Sequence, residues 1–401
     1  MPSRRLFSAS SPPSVDSFAS LCSRQPRAGE YPLAASIEDK VPVYSLPPYG
    51  SLSDPDREAL QDEWYGVMKD GPGVLVLRNM YRDADLIDRV SGVYRSIVDG
   101  ERRSNASAGD HFAAKGTNDR VWNSLSKHAA ADPPSFVDYY ANPYLGLVCE
   151  AWLGPGYRVT AQMNSVKPGG APQECHRDYH IGFQTAQAAA RYPRAAHLAS
   201  QFLTLQGAVA HVDVPVVSGP TRLLPYSQTL DEGYMAYRLP AFRDYFADNY
   251  VSLPLSKGDG LFFNPALFHA AGSNRSADID RMVNLLQISS GFGRPMETVE
   301  TVPIVRACWE GILAMYRRQQ ERGSGDGGGD EENKDGNTAE ALVRAVADGY
   351  PFPTNLDRNA PGPDEMTPPS EQKILRACLE EGCDTAETVR RLVELGDKSR
   401  A

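Results

Sequence analysis

The sequence predicts a mainly β domain of sandwich or jelly-roll type with flanking helices. From residue 157 to about 292 the chain falls into short β-rich runs separated by Gly and Pro, whereas apolar residues at helical spacing crowd the first 150 positions. Many short strands with such turns suit two packed sheets, and no internal repeat points elsewhere. Taken in order, Ser53-Asp54-Pro55-Asp56 reads as a helix cap, and residues 57–69 set Leu60, Trp64 and Met68 at helical spacing. Gly71-Pro72-Gly73 ends that helix, Val74-Leu75-Val76-Leu77 reads as a buried strand, and residues 83–98 and 135–153 read as amphipathic helices. Strands are expected over 157–167, 174–183, 203–215, 221–225, 251–255, 260–263 and 281–289. Residues 303–322 return to helix, with Ile304, Cys308, Trp309, Ile312 and Tyr316 as an inward stripe.

The implied organisation has four parts: a largely disordered Ser/Pro-rich segment 1–50, a main domain 51–322 with its β core at about 157–292, a flexible acidic Gly-rich linker 323–337, and a helical extension 338–401. The 401 residues are 41% hydrophobic, enough to bury one large core or two modest ones. A formal net charge of -10 argues against a nucleic-acid partner, which demands clustered Lys and Arg. No run approaches the roughly 20 apolar residues needed to cross a bilayer, so a soluble protein without a membrane partner is expected. The six cysteines, at 22, 149, 175, 308, 378 and 383, form no Cys-x-x-Cys pair, so neither a zinc site nor a disulfide framework is indicated. A reducing, cytoplasmic setting fits best. Arg4, Arg5 and Arg24, with a single acid at Asp16, give the first 25 residues a faint transit-peptide flavour, with mitochondrial import as the alternative to the favoured reading of an ordinary disordered terminus. The closing Ser399-Arg400-Ala401 lacks the apolar end of a peroxisomal address.

The most telling run is Cys175-His176-Arg177-Asp178-Tyr179-His180. On an extended chain an imidazole and a carboxylate two positions apart point to the same side. His269 follows 91 positions after Asp178 (269 minus 178), at the end of the apolar run opened by Gly258-Asp259-Gly260. Two His and one Asp make a facial triad, which occupies one face of an octahedral ion and leaves the rest open, an arrangement that suits non-heme Fe(II). Two open positions can take the keto-acid end of 2-oxoglutarate and a third O2. The distal carboxylate of that cosubstrate then needs a cation. Arg281, opening a strand whose Val283 and Leu285 share its face, is the best candidate. Arg275 competes, but it lies in a polar turn where an exposed side chain is more natural.

Over about residues 70 to 292 the chain resembles the phytanoyl-CoA dioxygenase family of Fe(II)/2-oxoglutarate oxygenases. Lys167-Pro168-Gly169 before His176-Arg177-Asp178-Tyr179-His180 is similar to the family's Lys-Pro turn and His-x-Asp-x-His run. Val214 to Thr221 with Leu224-Pro225-Tyr226-Ser227 resembles its acidic strand, turn and Pro-Gly-Ser-His segment, and Gly258-Asp259 through Phe263, His269 and Asn274 its last metal-ligand block. The chain departs from the pattern at Ala271, where a hydroxyl is frequent, and at Tyr226-Ser227-Gln228. The resemblance implies a double-stranded β-helix core, with His176, Asp178 and His269 as iron ligands and Arg281 as the 2-oxoglutarate anchor. It matches Lys115 to a lysine that reaches the cosubstrate, with Gln162 and Asn164, of one parity on the preceding strand, as alternatives. His180 shares strand parity with His176 and Asp178 and is a candidate substrate contact, as is Tyr179 as a pocket-shaping ring. His211 is expected to satisfy a sheet or loop contact, and Cys175 to be a small buried apolar group.

The implied activity is oxidation, usually hydroxylation, of a small organic molecule with release of succinate and CO2. Halogenation is disfavoured because Asp178 keeps its carboxylate. Two other readings share the same residues: a non-catalytic jelly-roll binding or scaffold protein, and a cupin-like metalloenzyme that does not use 2-oxoglutarate.

Overall fold

The computed structural model describes residues 5–8, 11–104, 118–323, 338–350 and 355–400. Ten strands are present among them: β1 Ser36–Glu38, β2 Val41–Ser45, β3 Val74–Arg78, β4 Asn118–Val121, β5 Arg158–Val166, β6 Thr204–Ala210, β7 Arg222–Leu224, β8 Gly260–Phe263, β9 Phe268–Ala270 and β10 Arg281–Ser289. Eight of them form one large sheet in the order β1-β2-β3-β8-β6-β10-β5-β4, and β7 pairs with β9 in a small one. Single bridges extend the small sheet on both sides, His176 to His269 of β9 and Leu223 of β7 to Val251. From β5 onward the chain therefore passes between the two sheets and back, the winding of a double-stranded β-helix.

Strands β3 and β8, at the middle of the large sheet, are buried on both faces and read as nearly continuous apolar runs. Val74 and Val76 of β3 point inward with Ala208, Leu261, Phe263 and Val283. Leu75 and Leu77 point outward and pack with Val209, Phe262, Leu286 and Ile288 under a layer of helices. That layer includes Asp54–Lys69, Ala84–Arg103, Pro133–Tyr140, Pro143–Leu153 and Thr301–Gly323. The first of these starts where a capping box permits: the Ser53 hydroxyl accepts from the Asp56 amide while Asp56 accepts from the Ser53 amide. Its Trp64, Val67 and Met68 are fully buried. In the Thr301–Gly323 helix the expected stripe faces the core: Ile304, Cys308, Trp309 and Ile312 are buried, and Tyr316 packs on them. Each such large side chain contributes about 1.5–3 kcal/mol by leaving water. Leu342, Leu375 and Leu392, from the helices after residue 338, join the same core, and Trp309 donates from Nε1 to the Cys383 carbonyl at 2.8 Å.

Two expectations change. The segment to residue 50 is not largely disordered where it is described, since Val15–Cys22 is helical and β1 and β2 extend the large sheet. Phe18 packs between Phe242 and Phe268, and Val41, Val43, Tyr44 and Leu46 are buried, so a short apolar run hidden among Ser and Pro suffices to dock the segment. The strand expected over 174–183 is only the bridge at His176; Tyr179 (φ 67°) and His180 (φ 40°) leave the extended region, and a 3-10 turn follows over His180–Phe183. The expected linker falls, for residues 324–337, outside the described residues.

Candidate metal centre

His176 and His269 sit directly opposite each other across the bridge, exchanging both backbone hydrogen bonds at 3.0 and 3.1 Å. This brings together two side chains far apart in the sequence. Each ring is then oriented by its own backbone: His176 Nδ1 lies 2.8 Å from the Glu174 carbonyl and His269 Nδ1 2.8 Å from the Leu267 carbonyl. A carbonyl only accepts, so each Nδ1 carries the proton and each Nε2 keeps its lone pair. Both lone pairs look toward Asp178, whose Oδ1 is 3.6 Å from His176 Nε2 and whose Oδ2 is 3.4 Å from His269 Nε2. One ligand atom from each residue lies within 4.8 Å of the other two, and among the described residues no other group of three His, Cys, Asp or Glu does so. Burial pushes the His176 imidazolium toward its neutral form. Burial alone would raise the Asp178 carboxyl, but before a metal binds a proton shared with His176 or His269, together with the Gln206 amide, holds it well below the usual carboxylate range.

Alternation explains what points elsewhere. Cys175 is buried beside Phe242, Leu224 and Phe268. Arg177 donates to the Ser227 and Leu230 carbonyls at 2.6 and 3.0 Å and stacks on Tyr234 and Phe268. A Cβ on Gly233 would lie 1.8 Å from that guanidinium, which is why the position is glycine.

The triad borders a cavity of about 630 Å³ whose far wall is the inner face of the large sheet. Strand register fixes that face: Val283 of β10 lies opposite Asn164 and Ala210, Leu285 opposite Gln162 and Ala208, and Gln287 opposite Thr160 and Gln206. Arg281 begins the row opposite Val166 and lines the same cavity. It is 5% exposed, makes one long contact to the Gly272 carbonyl (3.5 Å), and leaves Nε without a partner. No carboxylate pairs with it among the described residues. Burial lowers its pKa to about 10, which leaves it cationic at neutral pH. A buried cation with unfilled donors is a receptor for a carboxylate.

The other expected residues divide. Asn164 lines the cavity, while Gln162 turns its amide to Met296 Sδ at 3.7 Å and does not. His180 and Tyr179 do not line it either, because strand parity ends at Asp178. His180 Nδ1 meets Ser200 Oγ at 3.1 Å, and the Tyr179 hydroxyl donates to Gln287 Oε1 at 2.7 Å. Lys115 lies outside the described residues. Gln206 is the residue that sequence reasoning missed, a cavity-lining amide whose Nε2 lies 2.5 Å from Asp178 Oδ2. Its signal was a long polar side chain of inward parity in the middle of the otherwise apolar stretch Leu205-Gln206-Gly207-Ala208-Val209-Ala210.

Two imidazoles and one carboxylate on the rim of a roomy cavity fit a divalent ion of the Fe(II) type with several positions open. A jelly roll carrying such a triad defines the class of protein. The chain belongs to the phytanoyl-CoA dioxygenase family, whose model matches residues 55–283. Among curated proteins it is similar to Dioxygenase andF of Emericella variicolor, 27% identical over 180 residues that make up 41% of this chain and 56% of the relative. The chain thus spans little more than half of that relative's length. Among solved structures it is similar to SnoN, a non-heme alpha-ketoglutarate-dependent epimerase from nogalamycin biosynthesis (18% identity, 58% of this chain and 82% of that one, TM-score 0.42). It is also similar to SnoK, a carbocyclase of the same kind (17%, 60% and 85%, TM-score 0.44).

Proposed function

We propose that the protein is an Fe(II)- and 2-oxoglutarate-dependent dioxygenase that hydroxylates or otherwise oxidises a small organic molecule. The observation that carries this reading is the pair of imidazoles with Nδ1 tied to backbone carbonyls and Nε2 free, converging with Asp178 on a cavity that also holds the unpaired Arg281. His176, Asp178 and His269 would hold the iron. The bound metal, with 2-oxoglutarate and O2, would supply the oxidising chemistry while the cosubstrate is converted to succinate and CO2.

The protein's own part is binding, orientation and exclusion of water. Arg281 would take the distal carboxylate of 2-oxoglutarate through two parallel N–H donors, setting the keto-acid end toward the triad. Val283, Leu285, Ala208 and Leu261 give the cavity an apolar wall that keeps the reacting region dry. A cavity of about 630 Å³ lies within the range of small-molecule sites and leaves room for a substrate beside the cosubstrate. Succinate release, measured with Fe(II), 2-oxoglutarate and a library of small organic substrates, tests the proposal. Wild-type protein should release succinate, and His176→Ala and Asp178→Ala should lose roughly 100-fold or more, beyond the effect of removing an outer partner of a ligand. Unchanged turnover in either variant would defeat the assignment.

A further inference from the structure

Gln206 lies on β6, opposite Gln287 of β10 and Phe263 of β8, with 3% of its surface exposed. Its contact to Asp178 Oδ2 has only one chemical sense: the ionised carboxylate accepts, so the amide nitrogen must donate. The opposite end of the amide, Oε1, is buried and has no partner among the described residues. A glutamine that served packing alone would not leave an acceptor unsatisfied in order to keep one donor in place. Both carboxylate oxygens face an imidazole, Oδ1 the Nε2 of His176 at 3.6 Å and Oδ2 that of His269 at 3.4 Å, but Oδ1 accepts no hydrogen bond among the described residues while Oδ2 is held by Gln206.

We infer that Gln206 is a positioning residue for Asp178: by donating to Oδ2 it presents Oδ1 alone to the metal held by His176 and His269. The inference rests on the metal-binding reading above. Its consequence is a count of open positions. A carboxylate bound through both oxygens would take two of six octahedral places and leave two, too few for a two-pronged keto acid and O2 together. Bound through one oxygen it leaves three. A neutral amide achieves this without adding charge, whereas Lys or Arg in its place would repel the ion and an acid would become a further ligand.

The test uses the full chain and Mn(II) as a redox-stable probe. Calorimetric titration gives the affinity, and the metal-bound minus metal-free infrared spectrum gives the gap between antisymmetric and symmetric carboxylate stretches, which is wide for one-oxygen and narrow for two-oxygen ligation. In wild-type protein the gap should be wide. In Gln206→Met, similar in volume but without a donor, binding should weaken roughly 10- to 100-fold with the gap narrowed. Gln206→Asn, whose amide falls one methylene short of Asp178, should behave alike and replaces the Met variant should that one fail to fold. A folded variant with unchanged affinity and gap overturns the inference, as does weaker binding with the gap still wide. Failure of the wild type to bind Mn(II) sinks the metal-site reading itself, so the two failures are distinguishable.

Discussion

Asn284 and Arg281 lie three positions apart on β10, both buried, and their neighbours treat them differently. Asn284 faces outward into the helical layer, where its amide donates to the Tyr139 and Tyr140 hydroxyls at 3.3 and 3.2 Å. Beside it His211 uses both ring nitrogens, Nδ1 with Ser91 Oγ at 2.9 Å and Nε2 with the Tyr139 hydroxyl at 3.0 Å. On the inner face Arg281 Nε and Gln206 Oε1 are buried without partners among the described residues. Buried polar groups normally find partners within the protein, so the Asn284–Tyr139–His211 network reads as structure and the two unpaired atoms beside the triad as places prepared for something bound.

Substitutions that sharpen this contrast rank by expected effect. Arg281→Gln should weaken 2-oxoglutarate binding roughly 100-fold, the loss of two charge-assisted hydrogen bonds at about 1.5 kcal/mol each, while Mn(II) affinity measured by calorimetry stays unchanged. His211→Leu should do the reverse: urea unfolding should show a loss of about 1–3 kcal/mol, because the Ser91 and Tyr139 hydroxyls are left buried without their partner, with metal affinity intact. Equal effects of both changes on both readouts would erase the distinction between the faces.

The outer network also fixes a pH response. Burial lowers the His211 pKa from 6.5 to about 3 and that of His128 to about 4. Below pH 6.5 the unfolded chain takes up protons that the folded protein refuses, so stability is full above 6.5 and declines as pH falls toward those values. The slope is on the order of 1.4 kcal/mol per pH unit for each histidine. Unfolding curves between pH 7 and about pH 4 should show it, and His211→Leu should lower the slope by the share of one histidine. The smallest effect is expected from Tyr179→Phe, which removes one buried hydrogen bond, about 1 kcal/mol. Because Tyr179 does not line the cavity, the KM for an identified substrate should not move; a large change would return it to the substrate site.

Long, well-patterned elements were legible in the sequence. The capping box at Ser53, the stripe from Ile304 to Ile312 and the doubly buried β3 all follow from periodicity and end signals. The small sheet was harder to read, since β7 and β9 have three residues each and its outer members are single bridges, too short to show a period of two. His176 and Asp178 were readable because alternation holds between them. The same rule carried on to His180 fails, because Tyr179 and His180 adopt positive φ, and nothing in a Tyr-His pair announces that turn. Gln206 escaped notice because its meaning lies in the approach of β6 to Asp178, a contact 28 positions long in sequence that only the closed barrel creates.

The central claim is that His176, Asp178 and His269 hold one iron whose open positions accept 2-oxoglutarate anchored by Arg281. Anaerobic addition of 2-oxoglutarate to the Fe(II)-loaded protein, followed by visible absorption, tests it most directly. A weak charge-transfer band that saturates at one equivalent, is lost in His269→Ala and needs far more cosubstrate in Arg281→Gln is the predicted result. A wild-type protein that binds Fe(II) but develops no band, or a band of full strength in His269→Ala, would contradict it.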